Sequence, residues 1–579
     1  MSNLTRRDFI KTATLATLAM AVPVEVFAAT EADLVVYGKI FTSEKNQIVE
    51  AFAVKDGKFI YVGNKAGVKN FIKRGKTEVI DYTGKGLVMP GCGNGHAHYL
   101  SAYAVQTIGT MIDYDDDVEK FLKEIVPSTV KKARESGAKV VYGMGWEYER
   151  FKKNMPTRQD LDKICSDIPM FFGDEENHKS LVNTLLLVKA GIMTADGTVL
   201  KKSDGIRGGE IVFGSDGKPT GLLKEQASTY VRSFLDNDSL FTVDTAKATL
   251  AKVQEHLLSE GYTMYLDGYS TYFFNDVYYR AAQQFDRAGN MKFVFGTTCE
   301  IDSWMNVDEK LSKALDVQKY SSEHLKPNWI KLFMDGTVES GTGFIDPLYS
   351  DGHQGIVNWT EEEIIDITRK ANAKGLVMHI HALGNAGVNR VVNAYIKGGK
   401  PEMRNTVVHL RNVNQPDYKR MAENNIYVTS GMIWHHASKE QAEEYKITLP
   451  GKMAYQGYPM KSFFDNGIPV SFHTDYPALS NSPDDPFGVM EIALTGQCYM
   501  EIGDPWWTEE LITREQALNA LTIAVAKQMF LEHERGSIKA GKFADFLLVN
   551  KDILDCPVKE IHTAKPAATY FEGKKVFSA

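Results

Sequence analysis

The chain has 579 residues, of which 43% are hydrophobic and 24% are charged, and its formal net charge is -8. This length allows a large core and more than one domain, and the composition is ordinary for a globular protein. The acidic balance gives no support for nucleic acid as a partner. The five cysteines are odd in number and form no C-x-x-C pair, which excludes a disulfide framework and a zinc–thiolate site.

Residues 1–29 are predicted to be a twin-arginine export signal. Residues 5–11 read Thr-Arg-Arg-Asp-Phe-Ile-Lys, an apolar run of small residues follows at 12–24, and a cleavage motif lies at 26–29. The twin-arginine route carries folded proteins, often with a cofactor already inserted. The pattern therefore predicts a periplasmic or secreted protein. No later apolar stretch is long enough to span a bilayer once the signal is removed.

Both ends of the remaining chain are rich in sequence patterns typical of β-strands and β-hairpins. Strands and hairpins are predicted at 32–41, 51–63, 546–549 and 568–577. The simplest arrangement is one small β-sandwich domain made from residues 31–88 and 535–579. This composite domain would flank a central domain at 89–534.

The central domain alternates short apolar strands with helical patterns. The predicted strands are 86–91, 262–266, 292–297, 329–333, 376–381, 406–410, 426–429 and 469–473. Eight strands alternating with helices indicate an α/β fold of the (β/α)8 TIM-barrel type. Residues from about 100 to 250 are predicted to be an insertion after the first strand.

Candidate metal ligands follow several of these strands, where such barrels hold their chemistry. His96 and His98 are two residues apart, so in a strand they point to the same side. Lys331 lies inside an apolar strand, although an ammonium group is costly to bury. It is either a half-exposed or ion-paired residue, or an amine that reacts with carbon dioxide to give a bridging carbamate ligand.

Three further candidates complete the set. His381 and His409 each end an apolar strand, and each alone is equally compatible with a structural histidine. Asp475 follows the last strand, where it either caps a turn or binds a metal and accepts a proton from bound water.

The order His-x-His, Lys, His, His, Asp on successive strands resembles the amidohydrolase superfamily. The flanking sequence is similar to amidohydrolase family 3, the branch that includes N-substituted formamide deformylases. The segments that carry this similarity include 143–146, 156–158, 190–192, 216–221, 331–336, 381–384 and 536–545.

The resemblance implies that the metal ligands are His96, His98, Lys331, His381, His409 and Asp475. It implies a carboxylated Lys331 between two metals and a metal-bound hydroxide that attacks a carbonyl carbon. Asp475 would pass a proton to the leaving nitrogen. The expected cofactor is a divalent metal, with zinc as the first choice and one or two ions per chain. The predicted reaction is hydrolysis of an amide-type C–N bond in a formamide, an N-acyl compound or a cyclic amide.

Contacts to the small-molecule substrate are predicted at three residues. The resemblance places Trp146 and His178 near the substrate, while core packing and a loop surface are the respective alternatives. His435 follows the seventh strand and would line the same pocket.

The chain departs from the family pattern at Asn94, Asn385 and Val408, where relatives usually have Asp, Asp and Glu. These changes leave fewer carboxylates near the metals, so two alternatives stay open. One is a deaminase or another hydrolase that uses the same site. The other is a periplasmic binding or regulatory protein without turnover. Association into a homo-oligomer is also left open.

Overall fold

The computed structural model describes residues 31–45, 47–113, 116–175, 178–235, 242–268, 276–477, 484–500 and 503–579. The predicted export signal at residues 1–29 lies outside these ranges. Within them, no helix combines the length and the apolar character needed to cross a bilayer.

Eight parallel strands form the central sheet. In chain order they are Cys92–Ala97, Tyr262–Asp267, Val294–Glu300, Leu325–Phe333, Val377–Ala382, Thr406–His409, Tyr427–Gly431 and Val470–His473. The backbone N–H of Asp475 donates to the carbonyl of His96 at 3.1 Å, which joins the last strand to the first. The predicted TIM barrel is therefore confirmed.

Helices alternate with the barrel strands. Val243–Glu260 precedes the second strand. Between the second strand and the last lie Asp276–Arg287, Val307–Asp316, Glu361–Ala373, Asn385–Gly398, Gln415–Glu423, Lys439–Thr448 and Met460–Asp465. After the last strand come Pro486–Thr495, Arg514–Leu521 and Ile523–Gln528. Glu361–Ala373 shows why they form: Thr360 and Glu363 make a capping box, and Ile364, Ile367 and Ala371 bury one face at helical spacing.

Strands from both ends of the chain share a second sheet. Its strands are Leu34–Phe41, Ile48–Lys55, Lys58–Gly63, Glu78–Asp81, Leu87–Pro90, Phe546–Val549, Pro566–Phe571 and Lys574–Ser578. Phe546–Val549 runs antiparallel to Leu87–Pro90, so the two ends meet directly. The sandwich arrangement of this domain stays a prediction.

The first barrel strand differs from the prediction. Residues 86–91 were expected to form it, but Leu87–Pro90 belongs to the terminal sheet and the barrel begins with Cys92–Ala97. The glycines of this segment indicate a turn by composition. In the barrel they make room: a Cβ on Gly93 would lie 2.6 Å from the Met264 side chain and 2.7 Å from that of Val525.

The insertion between the first and second barrel strands has its own six-stranded sheet. Its strands are Thr110–Met111, Val141–Trp146, Met170–Asp174, Lys179–Val182, Gly209–Phe213 and Pro219–Glu225. Its helices of six residues or more after Tyr99–Ile108 are Val126–Ser136, Arg158–Ile164, Thr184–Lys189 and Gln226–Arg232. Several residues of this insertion line the same cavity as the ends of the barrel strands. The insertion thus forms part of the barrel mouth.

A buried histidine ties the barrel to the terminal sheet and predicts a pH-dependent stability. His324 lies 2.6 Å from Asp286 through Nδ1 and 3.1 Å from Glu572 through Nε2. Burial alone would lower the pKa of His324, but these hydrogen bonds raise it to about 9. Because the folded pKa exceeds the ordinary 6.5, the stabilisation is complete below about pH 6.5 and is lost as the pH rises through about 9.

We expect His324→Gln to lower the free energy of unfolding at about pH 6 by roughly 2 kcal/mol. The difference from the unchanged protein should shrink at about pH 9.5. Chemical unfolding at the two pH values measures both effects. His533→Gln is the matched control, because the His533 side chain is 89% exposed. An equal loss at both pH values would contradict the charge-based account.

Candidate metal centre

All six predicted ligands line one cavity at the C-terminal ends of the barrel strands. The cavity has a volume of about 260 Å³, and its wall includes His96, His98, Lys331, His381, His409 and Asp475. These residues come from the first, fourth, fifth, sixth and eighth strands or the turns after them. The barrel therefore gathers side chains that are distant in the sequence, as the strand-end argument predicts.

Two groups of potential ligand atoms meet at Asp475. His96, His98 and Asp475 form one group, and His409, His473 and Asp475 form the other, with the ligand atoms of each group within 4.8 Å of one another. Asp475 Oδ1 is 3.3 Å from His96 Nε2 and 3.1 Å from His98 Nε2, while Oδ2 is 3.8 Å from His409 Nδ1. Imidazole nitrogens and a carboxylate oxygen are donors that a divalent metal takes.

Asp475 has an unusual backbone conformation, and its surroundings determine the ionisation state of its carboxylate. Its φ of 57° and the φ of 78° at His409 lie in the left-handed region, which few non-glycine residues adopt, although Asp and His do so more often than most. Burial alone would raise the pKa of Asp475. The electrostatic interaction with His409 and the hydrogen bond with His98 instead hold that pKa well below its usual value. The carboxylate is therefore ionised at neutral pH.

Lys331 is a buried lysine that has no counter-ion in hydrogen-bonding contact among the described residues. It is fully buried on the fourth strand, and its Nζ makes no hydrogen bond to any described residue. The Nζ atom lies 4.4 Å from the centre of the Phe333 ring. Burial lowers the pKa of the amine to about 7, so a substantial fraction is uncharged and nucleophilic at neutral pH.

Two further histidines, neither of them a predicted ligand, belong to this cluster. His379 Nε2 and His96 Nδ1 share a hydrogen bond of 2.7 Å, which directs His96 Nε2 into the site. His473 joins His409 and Asp475 in the second group of potential ligands. The signal was available, because His379 and His473 each precede a predicted ligand by two residues in a strand and so face the same side.

The three departures from the family pattern have different structural roles. Asn94 donates to Thr474 Oγ1 at 2.7 Å and to the Tyr99 hydroxyl at 3.2 Å, which ties the first strand to the turn after the last. Asn385 donates to the Asp346 carbonyl at 2.6 Å, and Val408 is buried in the sixth strand. At positions 94 and 385, the amides thus act as cross-links close to the site.

Of the predicted substrate contacts, His178 lies at the cavity wall. Its Nδ1 is 2.8 Å from Glu225 Oε2, and its ring centre is 6.4 Å from that of His381. Glu225 has a φ of 51°, a strained conformation for a non-glycine residue. This pair from the insertion therefore faces the predicted barrel ligands across the cavity.

Trp146 and His435 are not part of the cavity wall. The Trp146 indole is fully buried, donates to the Phe172 carbonyl at 2.8 Å and stacks on Phe151. These contacts correspond to core packing, the alternative to substrate contact for this residue. His435 is also fully buried, and its Nδ1 lies 3.1 Å from the Tyr458 carbonyl. A sequence neighbour of each, Gly145 and Trp434, lines the wall instead.

A (β/α)8 barrel with imidazoles and a carboxylate gathered at the C-terminal ends of its strands is the arrangement of a metal-dependent hydrolase. The family model described as "Amidohydrolase family" matches residues 78–577. The chain therefore belongs to the amidohydrolase family, and the resemblance inferred from the sequence is confirmed.

Individual relatives agree with this assignment. The chain is 26% identical over 557 residues to N-substituted formamide deformylase of Arthrobacter pascens, covering 91% of this chain and 95% of that one. It is 25% identical over 564 residues to Protein LONG AFTER FAR-RED 3 of Arabidopsis thaliana, covering 94% and 91%. A solved uncharacterized metal-dependent hydrolase from Pyrococcus horikoshii has the same fold, with a TM-score of 0.69, 20% identity, and coverage of 91% and 99%.

Proposed function

We propose that the protein hydrolyses an amide-type C–N bond of a small molecule: a formamide, an N-acyl compound or a cyclic amide. The observation that carries this proposal is the position of Asp475, whose two carboxylate oxygens face two separate groups of histidines. An ionised carboxylate in this position is suited to accept a proton from water and to deliver it to a leaving nitrogen.

The residues present fit a divalent metal, and we propose zinc. His96 Nε2 and both ring nitrogens of His473 are buried, and none of these atoms hydrogen-bonds to a residue that the structure describes. Unpaired buried polar atoms need a partner, which an ion would supply. Burial lowers the pKa of His96, His381 and His409, which leaves neutral imidazoles for ligation. The proposed ligands are His96, His98, Lys331, His381, His409 and Asp475, for one or two ions.

A bound divalent ion supplies Lewis acidity, which polarises a carbonyl and lowers the pKa of water toward 7. The chain's own residues do the remaining work. Lys331 Nζ would form a bond to the carbon of carbon dioxide and release a proton, which converts the amine into a carbamate with two oxygen donors. Asp475 would hold the proton taken from water until the nitrogen leaves. His178, positioned by Glu225, would contact the substrate from the insertion.

Metal quantification and a substrate screen test this proposal. Purified mature protein should contain one or two divalent ions per chain and should hydrolyse at least one member of a panel of formamides, N-acyl amino acids and cyclic ureides. Removal of the metal with a chelator should abolish turnover, and added zinc should restore it. Metal retention without turnover on any member would contradict hydrolysis and favour a binding protein.

We also propose export by the twin-arginine route to the periplasm or beyond, which the pattern of residues 5–29 supports. Replacing both Arg6 and Arg7 with Lys should keep the protein in the cytoplasm with its signal uncleaved. Cell fractionation followed by mass determination measures location and cleavage together. Replacing Arg74 and Arg150 with Lys, well outside residues 1–29, provides a matched control. Export of the Arg6 and Arg7 double variant at the normal level would contradict the proposal.

A further inference from the structure

Carboxylates outnumber lysines and arginines on the described wall of the metal-site cavity. Six carboxylates line it: Asp174, Glu175, Glu225, Asp335, Glu339 and Asp475. Among the wall residues that the structure describes, Lys331 is the only lysine or arginine. Carboxylation of Lys331, which belongs to the proposed function, would replace this ammonium group with an anionic carbamate.

Among the wall carboxylates, Glu339 is the one best placed to bind a substrate group that lies away from Asp475. Its Oε1 accepts hydrogen bonds from Arg411 Nε at 2.7 Å and from the Tyr458 hydroxyl at 3.2 Å. The Arg411 side chain is fully buried and is not part of the wall, whereas that of Glu339 is 29% exposed. The guanidinium therefore holds Glu339 in place from behind, and the carboxylate is what a ligand in the cavity meets.

The Tyr458 ring adjoins this carboxylate and lies near a second ring, that of Trp434. Trp434 and Tyr458 both line the cavity, and their ring centres are 6.5 Å apart with an angle of 19° between the planes. The face of an aromatic ring attracts a cation, and the attraction grows when the cation is desolvated. Glu339, Trp434 and Tyr458 form what we call the Glu339 subsite.

We propose that the Glu339 subsite recognises a positively charged amine on the substrate, at a distance from the bond that is cleaved. This inference rests on the proposed function and narrows its substrate class to amides that carry a cationic arm. Away from the metal ligands, a carboxylate arm would lose its hydration beside Glu339, and the described wall residues there offer no guanidinium or ammonium to replace it. N-acyl amino acids with a free carboxylate are therefore expected to be poor substrates.

Three formamides of matched size test the inference on the unmodified holoenzyme. Their arms end in an ammonium, a hydroxyl or a carboxylate group. We expect kcat/KM to be highest for the ammonium compound, by about tenfold over the hydroxyl compound, and lowest for the carboxylate. A carboxylate compound that performs as well as the hydroxyl compound would overturn the inference.

Calorimetric binding of the same three compounds separates this inference from the proposed function. If none is hydrolysed, the amide-hydrolase proposal is contradicted for formamides, but the order of affinities still measures the charge preference. Tighter binding of the ammonium compound would then support the Glu339 subsite. Equal or tighter binding of the carboxylate compound would reject it.

A pair of substitutions assigns the preference to Glu339. Glu339→Gln removes the charge but keeps an oxygen that can accept from Arg411 and Tyr458. It should lower the ratio of kcat/KM for the ammonium compound to that for the hydroxyl compound by about tenfold. Glu362→Gln, on the exposed side of the helix Glu361–Ala373, removes the same charge and should leave the ratio unchanged. An unchanged ratio in Glu339→Gln would overturn the assignment, and the comparison in the unmodified enzyme does not depend on the folding of either variant.

Discussion

Replacing Asp475 with Asn is expected to lower kcat by about 1,000-fold, the size of a typical general acid–base contribution. The amide is nearly isosteric and keeps an oxygen that can bind a metal, but it does not accept a proton at neutral pH. The carboxylate it replaces is ionised, because His409 and His98 hold its pKa well below the usual range. Steady-state kinetics on the best substrate of the panel, with metal quantification of the same sample, measures the effect.

The control for this substitution is Asp366→Asn, which makes the same chemical change on an exposed part of the helix Glu361–Ala373. It should retain full activity. Loss of turnover in Asp475→Asn with metal content preserved would identify proton transfer as the missing step. Normal turnover in Asp475→Asn would exclude Asp475 as the proton carrier.

The second large effect concerns Lys331, for which activity and stability are expected to change in opposite directions. Lys331→Met fills the same volume without a charge, so it removes the cost of burying an amine that has no hydrogen-bond partner among the described residues. The metal-free variant should therefore be at least as stable as the unchanged protein. Because the variant has no carbamate, we expect it to lose at least one metal ion and about 100-fold or more in kcat, as for other groups that hold and orient a metal.

Lys326→Met is the matched control, since Lys326 lies on the same strand but only half-buried, with its Nζ near the Ser322 carbonyl. It should change neither metal content nor kcat. Growth or incubation with carbon-13 bicarbonate should give a carbamate signal in the unchanged protein and none in Lys331→Met. A fully active, fully loaded Lys331→Met would contradict the ligand role.

The barrel and the clustering of the six candidate ligands were predictable because they depend on local patterns. Apolar strands followed by His, Lys or Asp place those side chains at one end of a parallel barrel, and all six candidates do line one cavity. The first strand was missed because Cys92–Ala97 contains two glycines, which favour a turn in isolation. Only the packed barrel shows that Met264 and Val525 need the space.

The substrate-facing residues were harder to predict, because a sequence does not reveal which side of an inserted strand is buried. Trp146 turned into the core of the insertion, whereas Met144 and Gly145 of the same strand line the cavity. Glu339 and Arg411 gave no signal at all, since their pairing depends on two loops that are 72 residues apart. The arrangement of charges on the cavity wall likewise depends on which loops the fold brings together.

The junction between the first and last barrel strands has a consequence for the biogenesis of the protein. His98 and Asp475, which approach within 3.1 Å there, are 377 residues apart in the chain. A nascent chain that has already produced the His-x-His pair still lacks the aspartate until most of the remaining polypeptide has left the ribosome. The complete set of proposed ligands thus becomes available only late in synthesis.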